Sequence, residues 1–401
     1  MKPLEILHTD FHRGWGGQAS RVLMLSKELA RRGHRVVIAV PPGELARRAR
    51  LEGAGTGGVT VRDGFAFRAP GHAVSFARDL KRMAALLRRE TFDLVHVHGS
   101  QDTWVAALAR AIAGRPRCLV MTRHNTKRVR TGRANRILYG RLVDHLILAD
   151  ESVRSRYRAF LEDGTLDEAR ISVVPSAYRA DLFHEGVEGG GVRRELGIPD
   201  GALVVGVAGR LAADKGHTYL LKAAAALKPH LPGLTLLFAG AGPAGGRLRE
   251  EARALGLDGT VRFLGFRPDS AQVQAAFDIA VLPSVGCDAS SAAIKEAMAL
   301  GVPVVASDIG GAHGILEPGV TGILVRPGRA DDLVAALRGL AGDAAGARAM
   351  ARRARREVAR RFSIERLADQ TLEAYARALS MGGARRGLRR RASVLRAGRT
   401  A

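Results

Sequence analysis

The sequence predicts an α/β protein built from two doubly wound parallel-sheet domains, and three observations lead there. Short apolar runs alternate with longer helical stretches along most of the chain. The alternation pauses in a Gly- and turn-rich stretch at Ser176–Asp200 and then restarts as a second series. The strand-like runs are apolar almost throughout, as parallel strands buried on both faces require. A length of 401 residues suits two or three domains at roughly 100–200 residues each.

The first series reads as strands at Leu4–His8, Val36–Val40, Val59–Arg62, Leu94–His98, Leu119–Thr122, Leu146–Ala149 and Ile171–Val174. Helices fall between them at Gln18–Arg32, Val74–Arg89 and Thr103–Ala113. In the first of these Val22, Leu25 and Leu29 share a face, and Gly33 ends it. The second series places strands at Leu203–Ala208, Thr235–Ala239, Val261–Leu264, Ile279–Leu282, Val304–Ser307 and Gly322–Leu324. A long helical run, Asp331–Ala378, follows, broken near Phe362–Ser363. The expected organisation is a first domain at 1–175, a second at 176–361, a helix at 362–381 crossing back to the first, and a disordered basic tail at 382–401. The hinge is placed near Pro175–Arg179. Open α/β sheets bind ligands beyond the carboxyl ends of their strands, so two such domains are expected to face each other across a cleft.

Composition narrows the function. Hydrophobic residues at 46% and charged residues at 25% are those of an ordinary globular protein. The two cysteines, Cys118 and Cys287, are far apart, which excludes a disulfide framework and a cysteine-based zinc site. A reducing compartment such as the cytoplasm is expected. The N-terminal residues lack the apolar core of a signal peptide, and prolines and glycines interrupt the longest uncharged stretch, Pro229–Gly246.

The formal net charge is +24, and 55 of the 63 basic residues are arginine. Charge concentrates in two places. The tail carries Arg385, Arg386, Arg389, Arg390, Arg391, Arg396 and Arg399 with no acid. The segment Arg123–Arg141 carries Lys127, Arg128, Arg130, Arg133 and Arg136, also with no acid. Solvated surface in an arginine-rich chain is one reading, and a face for an anionic membrane is the other. Aromatic residues amount to 5% and are scarce in the basic runs, so nucleic acid is not expected as a partner.

Four constellations carry candidate chemistry. Trp15-Gly16-Gly17 lies between a strand and a helix, where glycine lets a phosphate approach the backbone and the helix start offers free N–H groups. Gly209-Arg210-Leu211-Ala212-Ala213-Asp214-Lys215-Gly216 follows a buried strand and opens a helix. Arg210 and Lys215 there suit a diphosphate. The third runs from Leu282 to Ala306. Asp288 stands at a loop mouth, Ala289, Ser290 and Ser291 follow, and Glu296 lies within a helix on an otherwise apolar face. A carboxylate so placed needs a partner, either the two hydroxyls of a ribose or a nearby arginine. The fourth is His124, just past a strand, where it could contact a reacting sugar or serve structure alone. Gly240-Ala241-Gly242-Pro243-Ala244-Gly245 imitates a dinucleotide fingerprint. The strand after it ends in Gly265-Phe266-Arg267 with no acid to hold a ribose, so NAD is not expected. The chain has no Asp-x-Asp to hold a metal–diphosphate, so neither metal nor cofactor is expected.

In this order the motifs resemble glycosyltransferase family 4, the retaining GT-B enzymes, over roughly residues 4–380. They are the Gly16-Gly17 loop, His96-Val97-His98-Gly99, Thr122-x-His124, Gly209-Arg210-x4-Lys215-Gly216, and the block Pro283-Ser284 through Glu296-Ala297-Met298-Ala299-x-Gly301-x-Pro303-Val304. The resemblance implies a GT-B fold and a nucleotide-sugar donor, with UDP favoured. Arg210 and Lys215 would hold the diphosphate, Gly16 and Gly17 would touch the same phosphates, and Glu296 would bind the ribose. Asp288 and the residues after it would meet the transferred sugar, and so would His124. The Trp15-Gly16-Gly17-Gln18 and Arg123-His124 variants resemble a bacterial subgroup acting on cell-surface polysaccharide or lipopolysaccharide. Charge, apart from the resemblance, suggests that the 127–136 basic patch and the tail dock on an anionic membrane, where a lipid-linked acceptor would be delivered at the cytoplasmic face. Departures from the family pattern are Asp288 in place of glutamate, Ser176-Ala177-Tyr178-Arg179 after the hinge strand, and His313-Gly314 where an acid is usual. A GT-B-type epimerase or phosphorylase, or a non-catalytic polyanion-binding protein, are the alternative readings.

Overall fold

A computed structural model describes residues 2–53, 58–68, 72–125, 127–286 and 291–397, with the backbone course alone from residue 382. The chain divides into two compact units, Met1–Ser176 with Ile364–Ala401, and Ala177–Ser363.

In the first unit the elements run β1 (Glu5–Thr9), α1 (Gly17–Arg31), β2 (Arg35–Ala39), α2 (Glu44–Gly53), β3 (Val59–Arg62), α3 (Ala73–Arg89), β4 (Leu94–Val97), α4 (Ser100–Ala113), β5 (Cys118–Arg123), α5 (Arg133–Ile137), β6 (His145–Leu148), α6 (Arg158–Glu162) and β7 (Ile171–Val173). All seven strands are parallel, in the order β3-β2-β1-β4-β5-β6-β7. The order reverses between β1 and β4, so the loops leaving those two strands flank the switch point where such sheets take ligands. The C-terminal helix, Ile364–Ala397, returns to this unit and packs on α1, β5 and β6. Arg32 fastens it, donating to Asp369 Oδ1 at 2.5 Å and to the Glu365 carbonyl at 3.0 Å.

The second unit runs α7 (Gly190–Glu195), β8 (Leu203–Ala208), α8 (His217–Leu227), β9 (Leu234–Ala239), α9 (Gly245–Ala254), β10 (Val261–Gly265), α10 (Ser270–Ala275), β11 (Ile279–Leu282), α11 (Ala292–Leu300), β12 (Val304–Ser307), α12 (Ala312–Ile315), β13 (Ile323–Val325), α13 (Ala330–Gly342) and α14 (Ala344–Arg361). Its six parallel strands are ordered β10-β9-β8-β11-β12-β13, with the switch point between β8 and β11. Alternation along the strands builds two cores. Val204, Ala280, Val304 and Ala306 face one side of the sheet, and Val205, Val207, Val281 and Val305 face the other. The inner strands β8, β11 and β12 are therefore buried on both faces, which confines their polar residues to the strand ends.

Two details differ from the sequence-based expectation. The helical run after residue 330 breaks at Asp343 as well as at Phe362–Ser363, because the Asp343 carboxylate accepts from the Gly346 N–H at 2.8 Å and caps a new helix. The C-terminal helix continues to Ala397, past the residue 381 at which the ordered chain was expected to end.

Glycine closes the loops at the second switch point. Gly216 sits at φ +67°, and a Cβ there would lie 1.8 Å from the Pro283 carbonyl oxygen. Gly240 approaches the Gly209 carbonyl oxygen equally closely, so the fingerprint-like Gly240–Gly245 run serves backbone packing. Gly216→Ala is expected to lower unfolding stability by about 3 kcal/mol in urea titrations. Gly246→Ala, where a Cβ meets nothing within 4 Å on α9, is expected to leave stability unchanged or raise it by about 0.5–1 kcal/mol.

Candidate active site

At the carboxyl end of β8 the chain passes through Gly209 and Arg210 and anchors itself by burying Leu211 and Ala212. A single turn at Ala213–Lys215 leads to Gly216 and α8. Neighbouring loops are stitched to it by backbone. Leu211 N–H donates to the Ala241 carbonyl at 3.1 Å, and Val285 and Gly286 N–H donate to the Asp214 carbonyl at 2.9 and 3.0 Å. The loops after β8, β9 and β11 therefore form one rigid rim. Arg210 is exposed on it, held loosely by Asp214 at 3.3 Å, an ion pair that is weak in water. Lys215 lies half-buried on the same turn. His217, next along, is buried and uncharged. Burial first, and then the Lys215 charge, pull its pKa down to about 4.

Ser291 is buried at the start of α11, and Glu296 is half-buried one turn further on. Its carboxylate accepts a hydrogen bond from the buried Gln274 of α10 at 2.9 Å. No arginine pairs with it among the described residues, so the partner is an amide where an arginine had been the alternative. Burial raises the Glu296 pKa, and the Gln274 bond and the Lys295 charge oppose that shift. Lys295 is itself buried, its ammonium 4.8 Å from the Phe362 ring centroid. Asp288, Ala289 and Ser290 lie outside the described residues.

In the first unit, Gly16 and Gly17 begin α1. Neither takes a left-handed φ, and a Cβ on either meets nothing within 4 Å. Neither backbone conformation nor close packing within the described residues calls for glycine there. Asp10, buried past β1, accepts at 3.0 Å from the His12 backbone N–H and the Gln18 side chain beside this loop, and its carboxylate also pairs with the His12 ring. Lys127, Arg128, Arg130, Arg133 and Arg136 are all exposed. Arg136 pairs with Asp163, an acid distant in sequence that offsets part of the patch.

His124 is half-buried, its Nε2 3.1 Å from His98 Nδ1. His98 continues inward to His8 at 2.9 Å. Tyr375 of the C-terminal helix lies 3.4 Å from His8 and 2.7 Å from His96, and His96 reaches Thr122 at 2.6 Å. Sequence reasoning missed this chain. The alternation His96-Val97-His98 hints at it by putting both rings on one side of the extended chain at the end of β4, and the register pairing His8 with His96 completes it. Ring nitrogens of His8, His96 and His98 come within 4.8 Å of one another, near enough for a metal ion, but each is turned onto another ring or a hydroxyl. Arg21 lies buried in the same unit, donating to the Val174 carbonyl at 2.9 Å and to Ser176 at 3.0 Å.

Burial keeps all four rings neutral. It pulls the His8 pKa down to about 3 and holds His96, His98 and His124 well below the ordinary range, with the Arg21 charge adding to the effect on the last three. Unfolded, these histidines bind protons near pH 6.5, so the unfolded state gains protons first as pH falls. Their stabilising contribution is complete above pH 6.5 and is lost below it, at up to about 1.4 kcal/mol per pH unit for each ring. Asp102, whose pKa burial and the Asp10 charge raise to about 7, acts in the opposite sense, as do the raised Glu296 and His12, while the lowered His145 and His217 add to the histidine side. The melting temperature is expected to drop on the order of 10 °C between pH 7.5 and 5.5. A flat profile in calorimetry would contradict the buried neutral cluster.

Comparison with known proteins agrees with this geometry. Residues 15–189 match the family model described as Glycosyltransferase Family 4, and residues 191–357 match Glycosyl transferases group 1. A D-inositol 3-phosphate glycosyltransferase of Nocardia farcinica is 32% identical over 409 residues, covering 93% of this chain and 87% of that protein. Among solved structures, a glycosyltransferase from Rickettsia africae superposes with a TM-score of 0.82 at 20% identity, covering 94% of this chain and 99% of that one. Anabaena Alr3699/HepE, in complex with UDP and glucose, superposes with a TM-score of 0.77 at 25% identity, covering 93% and 99%. With two parallel doubly wound units and these matches along nearly its whole length, the chain belongs to glycosyltransferase family 4 and has its GT-B fold.

Proposed function

We propose that the protein is a retaining glycosyltransferase that moves a sugar from a nucleoside diphosphate sugar, with UDP as the nucleotide, to a lipid-linked or cell-surface glycan. The observation that carries this reading is the stitched rim after β8. It presents Arg210 and Lys215 on a loop whose backbone cannot shift without breaking contacts to Ala241, Val285 and Gly286. Cations carried on a fixed loop beside a leaving diphosphate stabilise charge as it develops. Glu296 suits the ribose hydroxyls, since a half-buried carboxylate already engaged by Gln274 accepts strongly. The UDP in the Anabaena structure supports the choice of nucleotide. Arg210 and Lys215 provide the positive charge, so the transfer is read as metal-independent.

The exposed 127–136 basic segment is read as a docking face for the anionic inner leaflet, where a lipid-linked acceptor is held. That places the enzyme in the cytoplasm, peripheral to the membrane.

Arg210→Ala and Lys215→Ala are each expected to lower kcat by on the order of 10²–10³ while leaving the fold intact. UDP is expected to raise the melting temperature of the native protein by mass action and to do so less in Arg210→Ala. Intact turnover in both variants would sink the diphosphate site. Turnover is expected to persist in excess EDTA. In co-sedimentation, vesicles containing anionic lipid are expected to bind the protein more tightly than neutral ones, and neutralising Arg128, Arg130 and Arg133 together should erase the difference. Equal binding to both vesicles would remove the membrane from the account.

A further inference from the structure

Five contacts join six side chains of the first unit into one line. From the inside outward they are Thr122 Oγ1 to His96 Nε2 at 2.6 Å, His96 Nδ1 to Tyr375 Oη at 2.7 Å, Tyr375 Oη to His8 Nε2 at 3.4 Å, His8 Nδ1 to His98 Nε2 at 2.9 Å, and His98 Nδ1 to His124 Nε2 at 3.1 Å. Thr122, His96, His8, His98 and Tyr375 are buried, with His124 half-buried at the outer end. A neutral imidazole has one N–H and one lone pair, and a hydroxyl can donate only once. Each interior ring spends both nitrogens on the line. Tyr375 could accept from both its neighbours only by leaving its own buried hydrogen without an acceptor, which is costly. With that arrangement disfavoured, fixing the proton in any one contact fixes it in every other, and the line has two collective directions.

Thr122 selects between them. Its hydroxyl is buried, and among the described residues its hydrogen-bond partner is His96 Nε2. If Thr122 accepted from His96, its own hydrogen would have no acceptor among the described residues, which is costly for a buried group. It therefore donates to His96 Nε2. His96 then carries its proton on Nδ1 and donates to Tyr375, Tyr375 donates to His8, His8 to His98, and His98 to His124 Nε2. His124 is left with its proton on Nδ1. The opposite direction would leave a bare lone pair at that position. We infer that this line is a tautomer relay in which Thr122 and Tyr375 act as positioning residues, fixing His124 as an Nδ1–H hydrogen-bond donor and not as a proton acceptor.

The charged groups around the line are Arg21 on α1, Arg123 on β5, Asp102 on α4, and Asp10 and His12 after β1. Asp102 accepts from Thr9 Oγ1 and from the His98 backbone N–H, so it bonds none of the ring nitrogens. The buried Arg21 cation opposes a second positive charge on these rings, which keeps the line in its neutral form. Resting on the reading that His124 faces the transferred sugar, the relay assigns it a task. It donates to a sugar hydroxyl and leaves the acceptor proton to a phosphate oxygen of the donor.

The test separates the relay from that reading. The full chain is labelled with 15N-histidine, and long-range nitrogen–proton correlation spectra report which nitrogen of each ring is protonated. His124, assigned by its loss in His124→Gln, is expected to show Nδ1–H alone. Thr122→Val removes the donor that sets the direction and should give His124 a mixed or Nε2–H pattern, while Thr122→Ser should restore Nδ1–H. Tyr375→Phe cuts the line and should also mix the tautomers, with a cooperative thermal transition and unchanged dispersion of the amide spectrum as evidence that the variant folds. A His124 pattern unchanged by Thr122→Val and by Tyr375→Phe, or Nε2–H in the native protein, would overturn the relay. Turnover is the separate measurement. A kcat about 10-fold lower in Thr122→Val and recovered in Thr122→Ser is expected. Shifted tautomers with unchanged turnover would keep the relay and reject the role of His124 at the sugar.

Discussion

A parallel strand buried on both faces has no room for a polar side chain along its length, and its backbone groups are spoken for by its neighbours. Only where the strand runs out do polar atoms become available, and only at the switch point do two adjacent loops part to make room for a ligand. The architecture follows from that constraint in both units. Asp10 and the Gly16-Gly17 start of α1 follow β1, and His98 follows β4, on the two sides of the first reversal. Arg210 and Lys215 follow β8, and Ser284 follows β11, on the two sides of the second. The apolar core does not merely support the site, because it also dictates which residues can take part.

The histidine line departs from that constraint and shows how strict it is. His8 and His96 lie within strands, among Ile6, Leu7, Val95 and Val97, in a layer that is otherwise apolar. Such groups are tolerated only if every donor and acceptor finds a partner. Here they find one another, with a threonine closing the inner end and a tyrosine brought from the C-terminal helix bridging the middle. A network of this kind stabilises only while it stays complete and neutral, which ties its integrity to pH and to the docking of that helix on its unit. The same completeness makes the tautomer of the outermost ring a property of the whole line.

Much of the fold was legible because strand burial leaves a clear compositional trace. Runs such as Leu203–Ala208, Ile279–Leu282 and Val304–Ser307 coincide with β8, β11 and β12, since nothing polar can interrupt a strand covered on both faces. The break at Asp343 was less visible. Its signal is a single capping carboxylate, and Ala- and Arg-rich sequence on either side reads as continuous helix. In the site, Arg210 and Lys215 could be singled out because both their chemistry and their position after a strand are local properties. The environment of Glu296 could not. Its partner Gln274 stands 22 residues earlier on a different helix, and an amide carries no motif.

The sequence by itself determined the two strand–helix series, the polar loops at strand ends and the family to which they belong, because periodicity, apolar runs and short motifs are encoded within a few neighbouring residues. Tertiary structure alone decided what those residues touch. Register between β1 and β4 placed His8 against His96, and the returning C-terminal helix brought Tyr375 to a ring 279 residues away. Hydrogen bonding depends on distances of a few tenths of an ångström between groups remote in the chain, and no local pattern records that.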